Sequence, residues 1–192
     1  MAFILASESP RRRELVSRLG VPFEIHTLPV KEYRQGDLPF FEIPVRNAEL
    51  KAASVAEKYP ESVVLGADTV IVFEDRIKGK PADAADAKRT LLELAGKTHA
   101  VVTGLALLRA CDGTRILWSE CTRVTFKAYP EAVVDEYMRL VDVLDKAGSY
   151  ALQEHGDMLV ERVDGDCDNV VGLPLGRLKR ELAGLGLAGK PD

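Results

Sequence analysis

Ser7-Glu8-Ser9-Pro10-Arg11-Arg12-Arg13 gathers hydroxyls, a helix-starting proline and three consecutive cations into one short stretch. Its chemistry is that of anion binding. A helix N-terminus already attracts negative charge through its free N–H groups and its dipole. Arginines placed there oppose the dipole, a conflict that a bound polyanion would resolve; a solvated basic helix start is the plainer reading. A second candidate is Asp68, which interrupts the apolar run from Val63 to Phe73. A buried carboxylate is costly unless it is paired, hydrogen-bonded or bound to a cation. Asp68 is therefore either a structural acid satisfied by backbone or lysine, or a metal ligand, a general base, or both. Lys51, Lys80 and Glu32 supply charge on either side of it in sequence, and each read singly is an ordinary surface residue. Gln153 offers a donor and an acceptor on one amide, the pattern needed to read a base edge. Asn169 is suited equally to bracing a loop and to touching a ligand.

The elements that must position these groups follow from pattern. Phe3 to Ala6 reads as a strand, Ser9 as an N-cap and Pro10 as the first helical residue. Phe23 to His26 is a short strand, and the polar, proline-bearing segment from Lys31 to Pro44 is a loop long enough to carry function. From Pro44 to Tyr59 the apolar residues Val45, Ala48, Ala52, Val55 and Tyr59 recur at helical spacing, and Lys51 borders that stripe. The Val63–Phe73 run is apolar on both parities, as for a strand covered on both faces. Glu74-Asp75-Arg76 turns the chain. Asp83 caps a helix reaching Leu94, ended by Gly96. Ala100 to Leu108 and Arg115 to Phe126 form a hairpin around Cys111-Asp112-Gly113-Thr114. A helix from Pro130 carries Val133, Tyr137 and Leu140. A polar loop spans Asp145 to Tyr150, a strand spans Met158 to Val163, and Pro174 opens the last helix. Interleaved helices and strands with an antiparallel hairpin predict an α/β fold with a mixed twisted sheet.

The chain has 192 residues, a net charge of −4, 46% hydrophobic and 29% charged residues. That length buries a core without disulfides or structural metal, and the acidic balance argues against a nucleic-acid or membrane binder. Cys111, Cys121 and Cys167 show no C-x-x-C spacing, which points to a reducing compartment. No run approaches a membrane span, so a cytoplasmic protein is expected. His26, His99 and His155 are scattered and read as surface or satisfied core residues. P-loop, Rossmann, zincin and nucleophile-elbow patterns do not occur.

In order along nearly the whole chain stand Leu5-Ala6-Ser7-Glu8-Ser9-Pro10-Arg11-Arg12-Arg13-Glu14-Leu15, Gly66-Ala67-Asp68-Thr69-Val70, Gly79-Lys80-Pro81, Thr122-Arg123-Val124-Thr125-Phe126, Asp145-Lys146-Ala147-Gly148-Ser149-Tyr150 and Asn169-Val170-Val171-Gly172-Leu173-Pro174. The ordered set resembles the Maf family of nucleoside triphosphate pyrophosphatases. The resemblance implies an elongated mixed sheet flanked by helices, with two interwoven lobes and a central cleft, as in inosine triphosphatases. It implies one domain over residues 1–185 and a flexible tail over 186–192. The implied reaction is hydrolysis between the α and β phosphates, with Mg²⁺ or Mn²⁺ as cofactor, in a house-cleaning enzyme that forms a homodimer. By the same resemblance Asp68 is the proton acceptor, Lys80 and Glu32 are catalytic beside it, and Ser7, Arg11, Arg12, Lys51 and Lys80 contact phosphate. Glu32 and Asp68 would hold the metal.

The family's dTTP- and UTP-directed branch carries Arg, Thr and Gln at its discriminating positions, and Arg12, Thr69 and Gln153 agree with it. The alternatives are the 7-methyl-GTP-directed branch, which has Trp, Gln and Glu there, and a nucleotide-binding regulator of cell division that does not hydrolyse. Two departures stand out. Lys31 occupies a position often acidic in the family, and Leu152-Gln153-Glu154 replaces the more usual Ile-Gln-Gly, setting a new carboxylate beside Gln153.

Overall fold

Phe3, Ile4 and Leu5 are buried without regard to parity because their strand lies inside a sheet. In the computed structural model, which describes residues 2–187, β1 (Phe3–Leu5) pairs in parallel with β2 (Glu24–Ile25) and with β3 (Val63–Phe73). β4 (Arg76–Lys78) folds back antiparallel on β3. β5 (Thr98–Arg109) and β6 (Thr114–Phe126) are joined through a turn at Ala110–Asp112, with Gly113 left-handed. β7 (Val160–Asp164) is antiparallel to β6. The resulting seven-stranded mixed sheet runs β2-β1-β3-β5-β6-β7, with β4 on β3. Its helices are α1 (Pro10–Ser17), α2 (Ile43–Ala56), α3 (Ala84–Leu94), α4 (Glu131–Leu140), α5 (Cys167–Val171) and α6 (Leu175–Gly184). The mixed α/β class expected from the pattern is the one observed.

The chain divides into two compact units. The first takes the residues up to Asp68, Thr103–Glu120 and those from Gly172 on; the second takes Thr69–Val102 and Cys121–Val171. Each is thus assembled from separated stretches of sequence.

In the first unit α2 presents Ala48, Ala52, Val55 and Ala56 to Ile4, Ala6, Val64 and Ala106 of the sheet. Small residues on both sides let the helix approach closely. The approach is closest at two glycines: a Cβ on Gly66 of β3 would lie 2.0 Å from the Ala48 carbonyl oxygen, and one on Gly104 of β5 would lie 2.2 Å from the Pro44 carbonyl carbon. The helix that carries Lys51 is therefore seated backbone against backbone. α1 begins as expected, with Ser9 capping through a bond from the Arg12 N–H and Pro10 in the first turn.

The second unit packs α3 and α4 residues, among them Leu91, Leu94, Val134 and Tyr137, against Ile71, Phe73, Val101, Val124 and Phe126. His99, 2% exposed, lies within it. Its ring meets Phe126 and Tyr150 edge-on at 4.9 and 5.4 Å between centroids, and Nε2 is 2.9 Å from the Tyr150 hydroxyl. Nδ1 has no hydrogen-bond partner, so a second ring proton would be buried without an acceptor. Burial accordingly lowers the His99 pKa from 6.5 to about 4. Between those values the unfolded chain binds a proton that the folded protein refuses, so stability is fully present above pH 6.5 and falls as the pH drops toward 4. Urea unfolding at neutral pH and near pH 4.5 should show a loss from this group of about 2–3 kcal/mol. His99→Phe should remove that part of the loss; an identical pH dependence in wild type and variant would refute the assignment.

Several details differ from the sequence pattern. α2 ends at Ala56, and Tyr59, beyond it, is 36% exposed. In α4 the inward residues are Val134 and Tyr137, whereas Leu140 is 53% exposed at the helix end. β7 starts at Val160 because Gly156–Met158 forms a tight 3-10 turn. α5 was not anticipated: five residues are too few to display a period. Of the tail expected over residues 186–192, Gly186 and Leu187 donate backbone bonds to α6, and the remainder lies outside the described residues. No helix among the described residues is long and apolar enough to cross a membrane.

Candidate functional site

The site in the first unit is built on one turn of α2. Asn47 and Lys51 stand four residues apart, so they share a helix face, and that face meets Asp68 on β3. Lys51 Nζ lies 2.8 Å from Asp68 Oδ1, and Asn47 Nδ2 donates to Asp68 Oδ2 at 3.1 Å. The same ammonium lies 2.9 Å from Glu32 Oε1. Lys51 thus bridges the two acids that the sequence set far apart. The Asp68 and Lys51 side chains are 14% and 18% exposed, and Glu32 is 47% exposed, so the inner pair is shielded while the outer acid faces solvent. Of the two readings of Asp68, the structural one is met in part, because the carboxylate is satisfied by a lysine.

Glu32 is placed through its neighbour. Asn47 Oδ1 accepts from the Tyr33 N–H at 2.7 Å, and Asn47 Nδ2 donates to the Tyr33 carbonyl at 3.1 Å. Asn47 was missed by sequence reasoning. The available signal was its position one turn before Lys51, beside Ala48 on the apolar stripe, where an amide is out of place.

Arg12 reaches the same region from α1. Its Nε donates to the Gly172 carbonyl at 3.0 Å, and Nη1 donates to the Ala67 carbonyl at 3.0 Å and to Ser7 Oγ at 3.3 Å. The guanidinium therefore ties the loop after β1, the residue before Asp68 and the approach to α6 into one cluster. Burial lowers its pKa, opposed by the charges of Asp68 and Glu32, while Arg11 lowers it further; it remains a cation, as arginine does in proteins. The conflict between arginines and a helix N-terminus is met, for Arg12, by carbonyls and nearby acids. Ser7 is buried, Arg11 is half-buried at the same turn, and Arg13 and Lys31 are exposed.

The remaining expected site residues belong to the second unit. Thr69 follows Asp68 on β3 and is half-buried; Lys80 and Gln153 are exposed in turns. The Gly148 N–H donates to the Gly79 carbonyl at 3.0 Å, so the Asp145–Tyr150 segment is bonded to the Gly79-Lys80-Pro81 turn. Lys146, whose side chain is 5% exposed, donates to the Asp142 carbonyl at 2.6 Å and pairs with Asp145 at 2.8 Å and Glu154 at 3.3 Å. The carboxylate beside Gln153 is thus neutralised by a buried lysine. Asn169 is a brace: its Nδ2 donates to the Val101 carbonyl at 3.1 Å and to Thr122 Oγ1 at 3.0 Å.

Among the described residues there is no group of three or more His, Cys, Asp or Glu side chains able to hold a metal. Glu32 and Asp68 offer hard carboxylate oxygens, the donor type that Mg²⁺ and Mn²⁺ take, and Lys51 Nζ stands between them at 2.9 and 2.8 Å.

The model of the family described as "Maf-like protein" matches residues 2–185. A protein named dTTP/UTP pyrophosphatase from Akkermansia muciniphila is 45% identical over 183 residues, covering 95% of this chain and 96% of that one. A protein of the same name from Bacillus cytotoxicus is 46% identical over 180 residues, covering 94% and 93%. Among solved structures, the Staphylococcus aureus Ham1 protein superposes with a TM-score of 0.56 at 11% identity, covering 96% of this chain and all of that one, a likeness of fold alone.

Proposed function

The chain belongs to the Maf-like protein family, and from that premise we propose that it is a nucleoside triphosphate pyrophosphatase that hydrolyses dTTP and UTP to the monophosphate and pyrophosphate. The observation that carries the chemistry is the Asp68 carboxylate, held on one oxygen by Lys51 and on the other by Asn47. A carboxylate fixed in this way can orient a water and take its proton as the water oxygen bonds to the α-phosphorus. The bond from that phosphorus to the bridging oxygen breaks, and pyrophosphate leaves with the electron pair. Lys51, Arg11, Arg12 and Ser7 would neutralise and orient the triphosphate, an electrostatic and positional contribution of the kind that dominates phosphoryl transfer. Glu32 and Asp68 would hold Mg²⁺ or Mn²⁺, which supplies neutralisation of phosphate charge when bound.

Roles for Lys80, Thr69 and Gln153 rest on the family resemblance. Gln153, with Thr69 and Arg12, would read the uracil or thymine edge, where one N–H stands between two carbonyls. Cytosine replaces a carbonyl with an amino group, so CTP should be the poorer substrate. A nucleotide panel with a pyrophosphate readout, with and without Mg²⁺ and Mn²⁺, tests the reading. UTP and dTTP should be turned over best, and only with divalent metal; equal kcat/KM for UTP, dTTP and 7-methyl-GTP would overturn the pyrimidine assignment. Because Gln153 is exposed, Gln153→Ala should leave the melting temperature unchanged. It should lower kcat/KM for UTP by about tenfold, the worth of one to two hydrogen bonds, and narrow the gap between UTP and CTP. An unchanged UTP-to-CTP ratio would remove Gln153 from the base-reading role.

A further inference from the structure

We propose that Asn47 is a positioning residue that locks the Asp68 carboxylate and the Glu32-bearing loop into one arrangement, so that the two acids operate as a unit. This deepens the reading of Asp68 as proton acceptor and rests on it. Asn47 is 2% exposed, and its amide engages only this pair of segments: Oδ1 takes the Tyr33 N–H, and Nδ2 serves both the Tyr33 carbonyl and Asp68 Oδ2. Bonding the N–H and C=O of one residue together holds the peptide groups on both sides of it, much as a neighbouring strand would. Glu32 precedes it directly, so fixing Tyr33 fixes the backbone from which Glu32 projects.

The loop needs such a tether. From Lys31 to Asp37 every residue is exposed; Glu32 reaches Lys51 at 2.9 Å, and the loop's own turn carries the Arg34 N–H to Asp37 Oδ2 at 2.7 Å and the Asp37 N–H to the Arg34 carbonyl at 3.0 Å. No other side chain meets the three demands at position 47. Aspartate keeps the acceptor for the Tyr33 N–H but loses both donors and opposes Asp68. Leucine has a similar volume and no polar atom. A neutral amide satisfies the loop and the acid together without adding a third negative charge to a centre where Lys51 already faces two carboxylates. With Lys51 on one oxygen and Asn47 on the other, the Asp68 carboxylate cannot rotate freely, and misplacement of a reacting group by about 1 Å costs on the order of a hundredfold in rate.

The test compares Asn47→Leu and Asn47→Asp with wild type in steady-state UTP hydrolysis, thermal melting and hydrogen exchange over residues 31–37. Both variants should lose kcat by about 10- to 100-fold with KM changed less than about threefold. Exchange at Tyr33 should rise in Asn47→Leu and stay close to wild type in Asn47→Asp, which keeps the Tyr33 N–H acceptor. Unchanged kcat in both variants would overturn the proposal, as would faster exchange across the whole chain accompanied by equal losses in kcat and KM. Should Asn47→Leu fail to fold, the kcat, KM and exchange of Asn47→Asp decide. Should wild type turn over neither UTP nor dTTP, the substrate reading fails on its own, and unaltered Tyr33 exchange in Asn47→Leu would independently refute the tether.

Discussion

Asp68→Asn lowers kcat for UTP and dTTP by about 10²–10⁴-fold, the usual worth of a positioned general base, and leaves the protein folded. The substitution keeps the shape of the side chain and removes its ability to accept a proton. Lys51 does not become an orphaned charge, because it still has Glu32 at 2.9 Å. One contact is lost outright. If the new amide turns its oxygen toward Lys51, its NH₂ faces the NH₂ of Asn47, so the bond now made at 3.1 Å cannot persist. That bond is worth about 1 kcal/mol, or roughly 2–4 °C in a protein of this size. Pyrophosphate release and a thermal melt on the same preparation make the measurement. Turnover at the wild-type rate would show that Asp68 is not the proton acceptor, and a collapse of the melt would return it to a purely structural role.

Gly104→Ala and Gly66→Ala are expected to be the most damaging single methyl additions in the first unit. Each new Cβ would meet backbone: at Gly104 the Pro44 carbonyl carbon and the Val45 nitrogen, both at 2.2 Å, and at Gly66 the Ala48 carbonyl oxygen at 2.0 Å. A flexible side chain can swing away from such a contact, whereas a helix backbone must move as a body. Overpacking typically costs about 1–3 kcal/mol and occasionally more, and an unyielding backbone contact puts these two sites at the upper end. Activity should fall beyond what the stability loss explains, because a displaced α2 carries Asn47 and Lys51 away from Asp68. Gly176→Ala in α6 is the matching control. A Cβ there meets nothing within 4 Å, so the substitution should be neutral or stabilising by about 0.5–1 kcal/mol. Denaturant midpoints of the three variants test the contrast. If Gly104→Ala unfolds at the wild-type midpoint, the close seat of α2 does not hold in solution.

These contrasts mark where sequence reading works. The Val63–Phe73 strand, the Ser9 cap and the α2 stripe were legible because burial imposes a period on an element whatever it packs against. Asp68 stood out for the same reason, as a charge in an apolar run, whereas Lys51 showed only that it borders its stripe. Partners across the chain leave no such trace. Nothing in Arg12 announces that its Nε will meet a carbonyl at Gly172. Gly66 and Gly104 read as strand glycines until a helix backbone is seen against them. Asn47 passed unnoticed, because its meaning lies in a loop residue fourteen positions earlier. Glu32 was assigned only through resemblance, since an exposed loop acid has no pattern of its own.

The bond from Arg12 to Gly172 spans 160 positions. During synthesis the Ser7 hydroxyl and the Ala67 carbonyl become available to the guanidinium early, whereas the Gly172 carbonyl emerges more than a hundred residues after them. The cluster around Arg12 is therefore closed only after translation has passed Gly172, and a nascent chain halted short of that point would lack the tie between the first turn and the approach to α6.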